Sequence, residues 1–94
     1  MLEKLDPLLH SQLRLAIMSI LISNEVADFV YLKEKTEATA GNLSVQLDKL
    51  EEAGYIKIEK SFKGKKPHTS CRITKEGIRA FEDYVKNIKS YLNL

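Results

Sequence analysis

The sequence predicts a mainly α domain with one small β-hairpin, an α+β arrangement in the order helix, short strand, helix, turn, helix, hairpin, helix. Three observations point to it. Apolar residues recur at steps of three and four in four separate stretches; Tyr55–Phe62 and His68–Ile73 alternate instead; and Asp6, Asp28, Thr39 and Thr74, all good N-caps, stand just ahead of the helical stretches. Ninety-four residues suffice for one core and leave no room for a second, so residues 1–94 are expected to form a single domain.

Taken in order, Asp6-Pro7 reads as a helix start, with Asp6 as N-cap and Pro7 at the first helical position, where its missing N–H costs nothing. Leu9, Leu13, Ala16, Ile17, Ile20 and Leu21 give that helix one apolar face, and Leu8, Leu15, Met18 and Ile22 give it a second. Two stripes imply burial on both sides, in a core and against a partner. A polar break at Ser23-Asn24-Glu25 precedes the minimal strand Val26-Ala27, after which Asp28 caps a short helix through Phe29, Leu32 and Lys35. Thr36 to Ala38 form a turn. Thr39 caps a third helix whose Leu43, Leu47 and Leu50 share a face, and Gly54 ends it in the left-handed conformation. Ile56 and Ile58 then point one way and Lys57 and Glu59 the other, the period of a half-buried strand. Lys63 to Pro67 reads as the connecting loop, and the return strand puts Cys71 and Ile73 inward. Thr74 caps the last helix, with Glu76 in its first turn. Ile78, Phe81, Val85, Ile88 and Leu92 make a heptad seam there, widened by Tyr84 and Tyr91.

Hydrophobic content of 44% and charged content of 30% suit a folded globular chain. No apolar run reaches the length of a membrane span, and Glu3 and Asp6 stand where a signal peptide carries positive charge, so a cytoplasmic location is expected. Cys71, the single cysteine, has no partner for an internal disulfide. The net charge of +2 conceals an uneven distribution. Residues 1–53 hold five Lys/Arg and nine Asp/Glu, residues 54–75 hold seven and one, and residues 76–94 hold three and three. Nearly all the positive excess therefore lies around the hairpin, where a polyanion would feel it.

Other chemistries find little support. Gly64-Lys65 is not a phosphate-binding loop, because Glu59 occupies the upstream glycine position and Lys66 the Ser/Thr position. Cys71, His10 and His68 lack metal-ligand spacing, and Cys71 reads as a small core residue. Neither a cofactor nor a metal is expected, and no nucleophile–base constellation suggests an enzyme.

The run Leu43-Ser-Val-Gln-Leu47-Asp-Lys-Leu50-Glu-Glu-Ala-Gly54-Tyr-Ile56, the lysine-rich hairpin after it, and Ile73-Thr-Lys-Glu-Gly77 together resemble winged helix-turn-helix transcriptional regulators of the MarR and ArsR kind. The resemblance covers nearly the whole chain. It implies a sequence-specific regulator of double-stranded DNA, of the repressor type, whose third helix enters the major groove and whose hairpin, the wing, lies on the backbone or in the minor groove. A groove about 12 Å wide admits a helix whose N-terminal half meets base edges. On the side of the third helix away from its leucines stand Thr39, Gly41, Asn42, Ser44, Val45, Gln46 and Lys49. Asn42 and Gln46 have the chemistry to pair with adenine, Val45 to touch a thymine methyl, and Thr39 and Ser44 to hold phosphates. In the wing, the expected DNA contacts are Lys60, Lys63, Gly64, Lys65 and Lys66 at the tip, and His68 and Arg72, beside Lys57, along the flanks. Leu2, Leu5, Leu8, Leu15, Val85, Ile88, Tyr91 and Leu92 are excess apolar surface, expected to serve a homodimer that sets two reading helices one DNA turn apart. The resemblance also allows a small-molecule effector, which no residue identifies. Asp48, Glu51 and Glu52 at the end of the third helix keep an alternative open, a winged helix that binds protein and not DNA.

Overall fold

A computed structural model describes residues 2–92 and shows α1 (Gln12–Asn24), β1 (Val26–Asp28), α2 (Phe29–Thr36), α3 (Ala40–Glu52), β2 (Ile56–Lys63), β3 (Lys66–Ile73) and α4 (Lys75–Leu92). The expected element order and the α+β class are both present. The strands form one antiparallel sheet in the order β1-β3-β2. Extents of 54 × 25 × 21 Å make the molecule elongated.

Two boundaries differ from the sequence reading. The first helix starts at Gln12 and not at Pro7, because Asp6 closes a separate turn: its Oδ1 accepts from Leu8 N at 2.9 Å, and its carbonyl from Leu9 N and His10 N at 3.1 and 3.0 Å. Ser11, in extended conformation, then caps α1 by accepting from Arg14 N. The hairpin connection is also shorter than the expected loop over Lys63 to Pro67. Lys63 pairs with Lys66 and Phe62 with Pro67, leaving only Gly64-Lys65 between the strands. Gly64, at φ +63, takes the first central position of the two-residue turn, and Lys65 keeps a negative φ, the pattern of a type II′ hairpin.

The other caps fall where the sequence puts them. Asp28 Oδ1 accepts from Tyr31 N at 2.8 Å to start α2, Thr39 Oγ1 accepts from Asn42 N at 3.2 Å to start α3, and Gly54 leaves α3 at φ +81. Each hydroxyl or carboxylate satisfies an N–H that has no partner within its own helix.

The core draws on every element. Leu9, Ile17, Met18 and Leu21 from the N-terminal third meet Ala27, Leu32, Leu43, Leu47, Leu50, Ile56, Cys71, Ile73 and Tyr84. Both stripes of α1 contribute, Ile17 and Leu21 from one and Met18 from the other. The seam of α4 behaves differently. Tyr84 is buried, while Phe81 and Ile88 are only partly covered and Ile78 and Leu92 stand exposed.

The start of α4 is fastened to the link between α3 and β2. Thr74 N donates to Tyr55 O at 3.0 Å, and Thr74 Oγ1 donates to Gly54 O at 2.6 Å while accepting from Gly77 N at 3.0 Å. Gly77 is required at this contact, because a Cβ there would lie 2.1 Å from Tyr55 O. Gly77→Ala should therefore destabilise the fold by about 3 kcal/mol or more, read from urea unfolding midpoints. Gly41→Ala, with nothing within 4 Å of the new methyl, should instead gain about 0.5–1 kcal/mol of helix propensity. Equal midpoints for the two variants would show that the Tyr55–Gly77 approach does not constrain the fold.

Candidate nucleic-acid interface

The α2–α3 turn is tight. Glu37 adopts the left-handed conformation at φ 58, ψ 22, and Thr39 then opens α3 in extended geometry at its N-cap. With Leu43, Leu47 and Leu50 buried, Gly41, Asn42, Ser44, Val45 and Lys49 are left exposed around the rest of the helix, with Val45 50% open. Gln46 departs from that set. It is half-buried, its Oε1 accepts from Arg14 Nη1 on α1, and its Nε2 donates to Asn42 Oδ1 at 2.9 Å. Arg14 Nε in turn donates to the Leu8 carbonyl at 2.5 Å. Because a guanidinium only donates, this chain fixes which end of each amide faces which way, and leaves Asn42 Nδ2 with both of its hydrogens to donate outward. Of the two expected adenine readers, Asn42 is thus presented and Gln46 is held against α1.

The acids at the end of α3 are partly accounted for. Glu51 Oε2 accepts from Ile58 N at 2.9 Å, which turns that carboxylate onto β2. Asp48 lines a shallow groove of 190 Å³ between α3 and the wing, together with Ser44, Lys60 and Thr69.

The unbroken β2–β3 register sorts the basic residues by face. Ile56↔Ile73, Ile58↔Cys71, Lys60↔Thr69 and Phe62↔Pro67 lie on the face that packs on α3; Lys57↔Arg72, Ser61↔His68 and Lys63↔Lys66 lie on the other. Lys63, Lys65 and Lys66 cluster at the tip. Arg72 stands six residues back from Lys66, roughly 20 Å along the strand at about 3.3 Å per residue, and opposes Lys57. His68 is half-buried and lines a recess with Asp28, Phe29 and Val30. The structure thus brings Lys60 to the reader side and Lys63, Lys65 and Lys66 to the tip, sets His68 two residues behind Lys66 on the tip lysines' face, and leaves Arg72 well back along the flank.

Of the expected dimer residues, Leu5, Leu8, Leu15 and Ile88 pack partly on the core, Val85 is half-buried, and Leu2, Tyr91 and Leu92 are exposed. Val85 lines an open groove between α1 and α4 with Ile22, Phe81 and the stems of Lys86 and Lys89. The N-terminal segment runs along α4, where Asn87 Nδ2 donates to Lys4 O and the Tyr91 hydroxyl to Glu3 O. Among the described residues, no helix is long and apolar enough to cross a membrane, and no group of three or more His, Cys, Asp and Glu is placed to hold a metal ion.

Residues 13–92 match the winged helix DNA-binding domain family, which spans the cap, reader, hairpin and last helix just described. The chain belongs to that family. An uncharacterized protein of Methanocaldococcus jannaschii is 39% identical over 79 residues, covering 84% of this chain and 86% of its own. A transcriptional regulator homologue from Pyrococcus horikoshii superimposes with a TM-score of 0.85 at 27% identity, over 92% of this chain and 85% of that one. A MarR-family regulator from Silicibacter pomeroyi shares the fold with a TM-score of 0.70 at 17% identity, over 88% of this chain and 55% of its own.

Within this winged helix the sequence reading missed Arg14 and Tyr55. Arg14 had a signal, being the one charged residue inside the apolar α1. Tyr55 had none beyond its place after Gly54. Its hydroxyl donates to Asp6 Oδ2 at 2.6 Å, across 49 residues of chain. That bond above all, then burial and the negative charge of Asp6 and Glu76, pushes the phenol up from 10.0 to about 12. Burial, with a smaller contribution from Glu51, pushes the Cys71 thiol up to about 11, as befits an inert core residue.

A raised phenol means that the protonated form favours folding. The contribution of Tyr55 is complete below pH 10, the unfolded value, and is lost as pH rises through about 12. Tyr55→Phe should lower the denaturant midpoint at pH 8 and converge on the parent protein as pH passes through that window. A stability gap that stays constant between pH 8 and 12 would contradict the Asp6 bond.

Proposed function

We propose that the chain is a transcriptional regulator that binds duplex DNA sequence-specifically as a homodimer, its residues 1–94 acting as a single winged-helix domain in the cytoplasm. The reading rests on one observation, the lysine-rich hairpin packed against the reading helix, with Lys60 lining the same groove as the exposed Ser44 of α3. The α3 helix enters the major groove with Asn42, Val45 and Lys49 toward base edges, and Thr39, Gly41 and Ser44 close to the backbone. Lys60, Lys63, Lys65 and Lys66, carried around the Gly64 turn, hold phosphates or reach the minor groove. Arg72 contributes charge from the flank at most, and His68 stands on the same flank without a base contact. The exposed stripe of α4, with Leu2 and the partly covered Leu5, Leu8 and Leu15, supplies the twofold contact; two readers about 34 Å apart then favour a palindromic operator. Occupying the operator suits a repressor. The regulators that share the fold support this reading.

Replacing Lys63, Lys65 and Lys66 by Ala should weaken binding on all duplexes alike. It should also lower the slope of log affinity against log salt by up to about 0.9 for each phosphate contact removed. An unchanged slope would take the wing out of the interface.

Specificity is tested separately through Arg14, which touches no DNA in this arrangement but orients Gln46 and Asn42. Arg14→Met frees both amides. Selection of bound DNA from a random pool should then yield a site altered at the base facing Asn42, with overall affinity changed only a few-fold. Recovery of the parental site would leave Arg14 a purely structural group.

A second reading, a winged helix that binds protein in place of DNA, draws on Asp48 in the groove between reader and wing and on Leu92, 77% exposed on α4. Absence of salt-sensitive binding to random duplex at low salt would favour it.

A further inference from the structure

Phe62 is the residue of the wing that phosphate binding leaves unexplained. It is 72% exposed and lies outside both the core and the hydrophobic residues packed against it. Leaving a phenyl ring in water forfeits about 1.5–3 kcal/mol of burial. Protection of a sheet edge calls for lysine and proline there, and gains nothing from an aromatic ring.

Its place on the hairpin is well defined. The register is unbroken from Ile56 to Lys63, so Phe62 shares the face of Ile56, Ile58 and Lys60, the face turned toward α3. Lys63↔Lys66 closes a two-residue turn and is therefore a hydrogen-bonded pair, which makes Phe62↔Pro67 a non-hydrogen-bonded one. In such a pair the side chains approach most closely, and the N–H that proline lacks would have pointed away from β2. β1 pairs only with Ser70, Cys71 and Arg72, so that missing donor costs no ladder bond. Phenyl and pyrrolidine rings thus stand side by side at the end of a stiff ribbon, with Lys60 behind them on the same face, Lys65 in the turn, and Lys63 and Lys66 on the opposite face.

We propose that Phe62, backed by Pro67, is an apolar wedge that enters the DNA minor groove and partly unstacks one base step, so that binding kinks the duplex. The inference rests on the DNA-binding reading above. The charge around the wedge is complementary to the phosphates that border a minor groove, and Phe and Pro are side chains with which proteins open base steps there. A wedge held by the hairpin loses little freedom on insertion. Pyrimidine–purine steps, which unstack at least cost, are its preferred sites. Indirect readout of this kind adds sequence preference in a protein whose reading helix carries a single lysine, Lys49, as its basic residue.

The test uses the full chain and a short A·T-rich duplex with 2-aminopurine at one TA step and a dye at each end. Binding should raise the 2-aminopurine fluorescence and bring the ends closer. Phe62→Ala should abolish both signals and weaken binding about tenfold, with the salt slope unchanged, because the lysines remain. Phe62→Leu, which keeps a wedge, should retain both signals. Since Phe62 is exposed, neither substitution should move the unfolding midpoint. The proposal is overturned if the parent protein binds with the duplex straight and the probe quenched, or if Phe62→Ala binds with the parental affinity and signals. Should the parent show no salt-sensitive binding to any duplex, the DNA-binding reading itself fails and the wedge with it.

Discussion

Tyr55 lies where four parts of the chain meet, and the relative placement of reader and wing depends on that junction. Its N–H donates to Leu50 O at the end of α3, and its carbonyl accepts from Thr74 N and faces the bare backbone of Gly77. Its hydroxyl reaches back to Asp6 in the N-terminal turn. A winged helix needs a fixed angle between α3 and the β2–β3 ribbon, because both must meet one duplex at the same time. Gly54 turns the chain by its left-handed φ, the Thr74 hydroxyl ties that turn to α4, and Glu51 fixes the first part of β2 through the Ile58 N–H. Backbone and side-chain hydrogen bonds thus converge on one junction, so a shift in one displaces the others.

The proposed function assigns affinity and specificity to different parts of the protein. The wing concentrates lysines on a ribbon that projects beyond the core, where phosphate attraction acts without reference to sequence. The reader is poor in charge and presents an amide donor, a branched apolar side chain and hydroxyls, groups that discriminate bases when held in fixed orientation. Arg14 supplies that orientation from α1. The same residue bonds the Leu8 carbonyl, so the orientation of the reading amides is joined physically to the N-terminal segment that runs along α4.

The α4 helix serves two surfaces. Tyr84 faces inward, where its hydroxyl and His10 Nδ1 are 2.9 Å apart, and Gly77 closes on Tyr55. The positions between, Ile78, Phe81, Val85 and Ile88, follow a heptad spacing that α1 covers only in part. This stripe is the surface that the proposed homodimer would use.

What the sequence determined by itself is local. The period of apolar residues, the N-cap hydroxyls and carboxylates, Gly54, and the alternation of Ile56, Ile58, Cys71 and Ile73 are properties of a few consecutive residues, and they specify element type, order and most boundaries. The clustering of lysines near residue 65 is likewise visible without coordinates. Where two local signals competed, the tertiary structure decided. Asp6-Pro7 has the chemistry of a helix start, yet Asp6 is committed to its own turn and to Tyr55, so Ser11 takes the cap. The Gly-Lys turn is tighter than its glycine and proline suggest, because Pro67 falls in a ladder position that needs no N–H. Only the folded chain could separate Gln46 from Asn42. Helical spacing gives a residue's angle around its own axis, whereas burial of Gln46 against α1 depends on a partner far away in sequence.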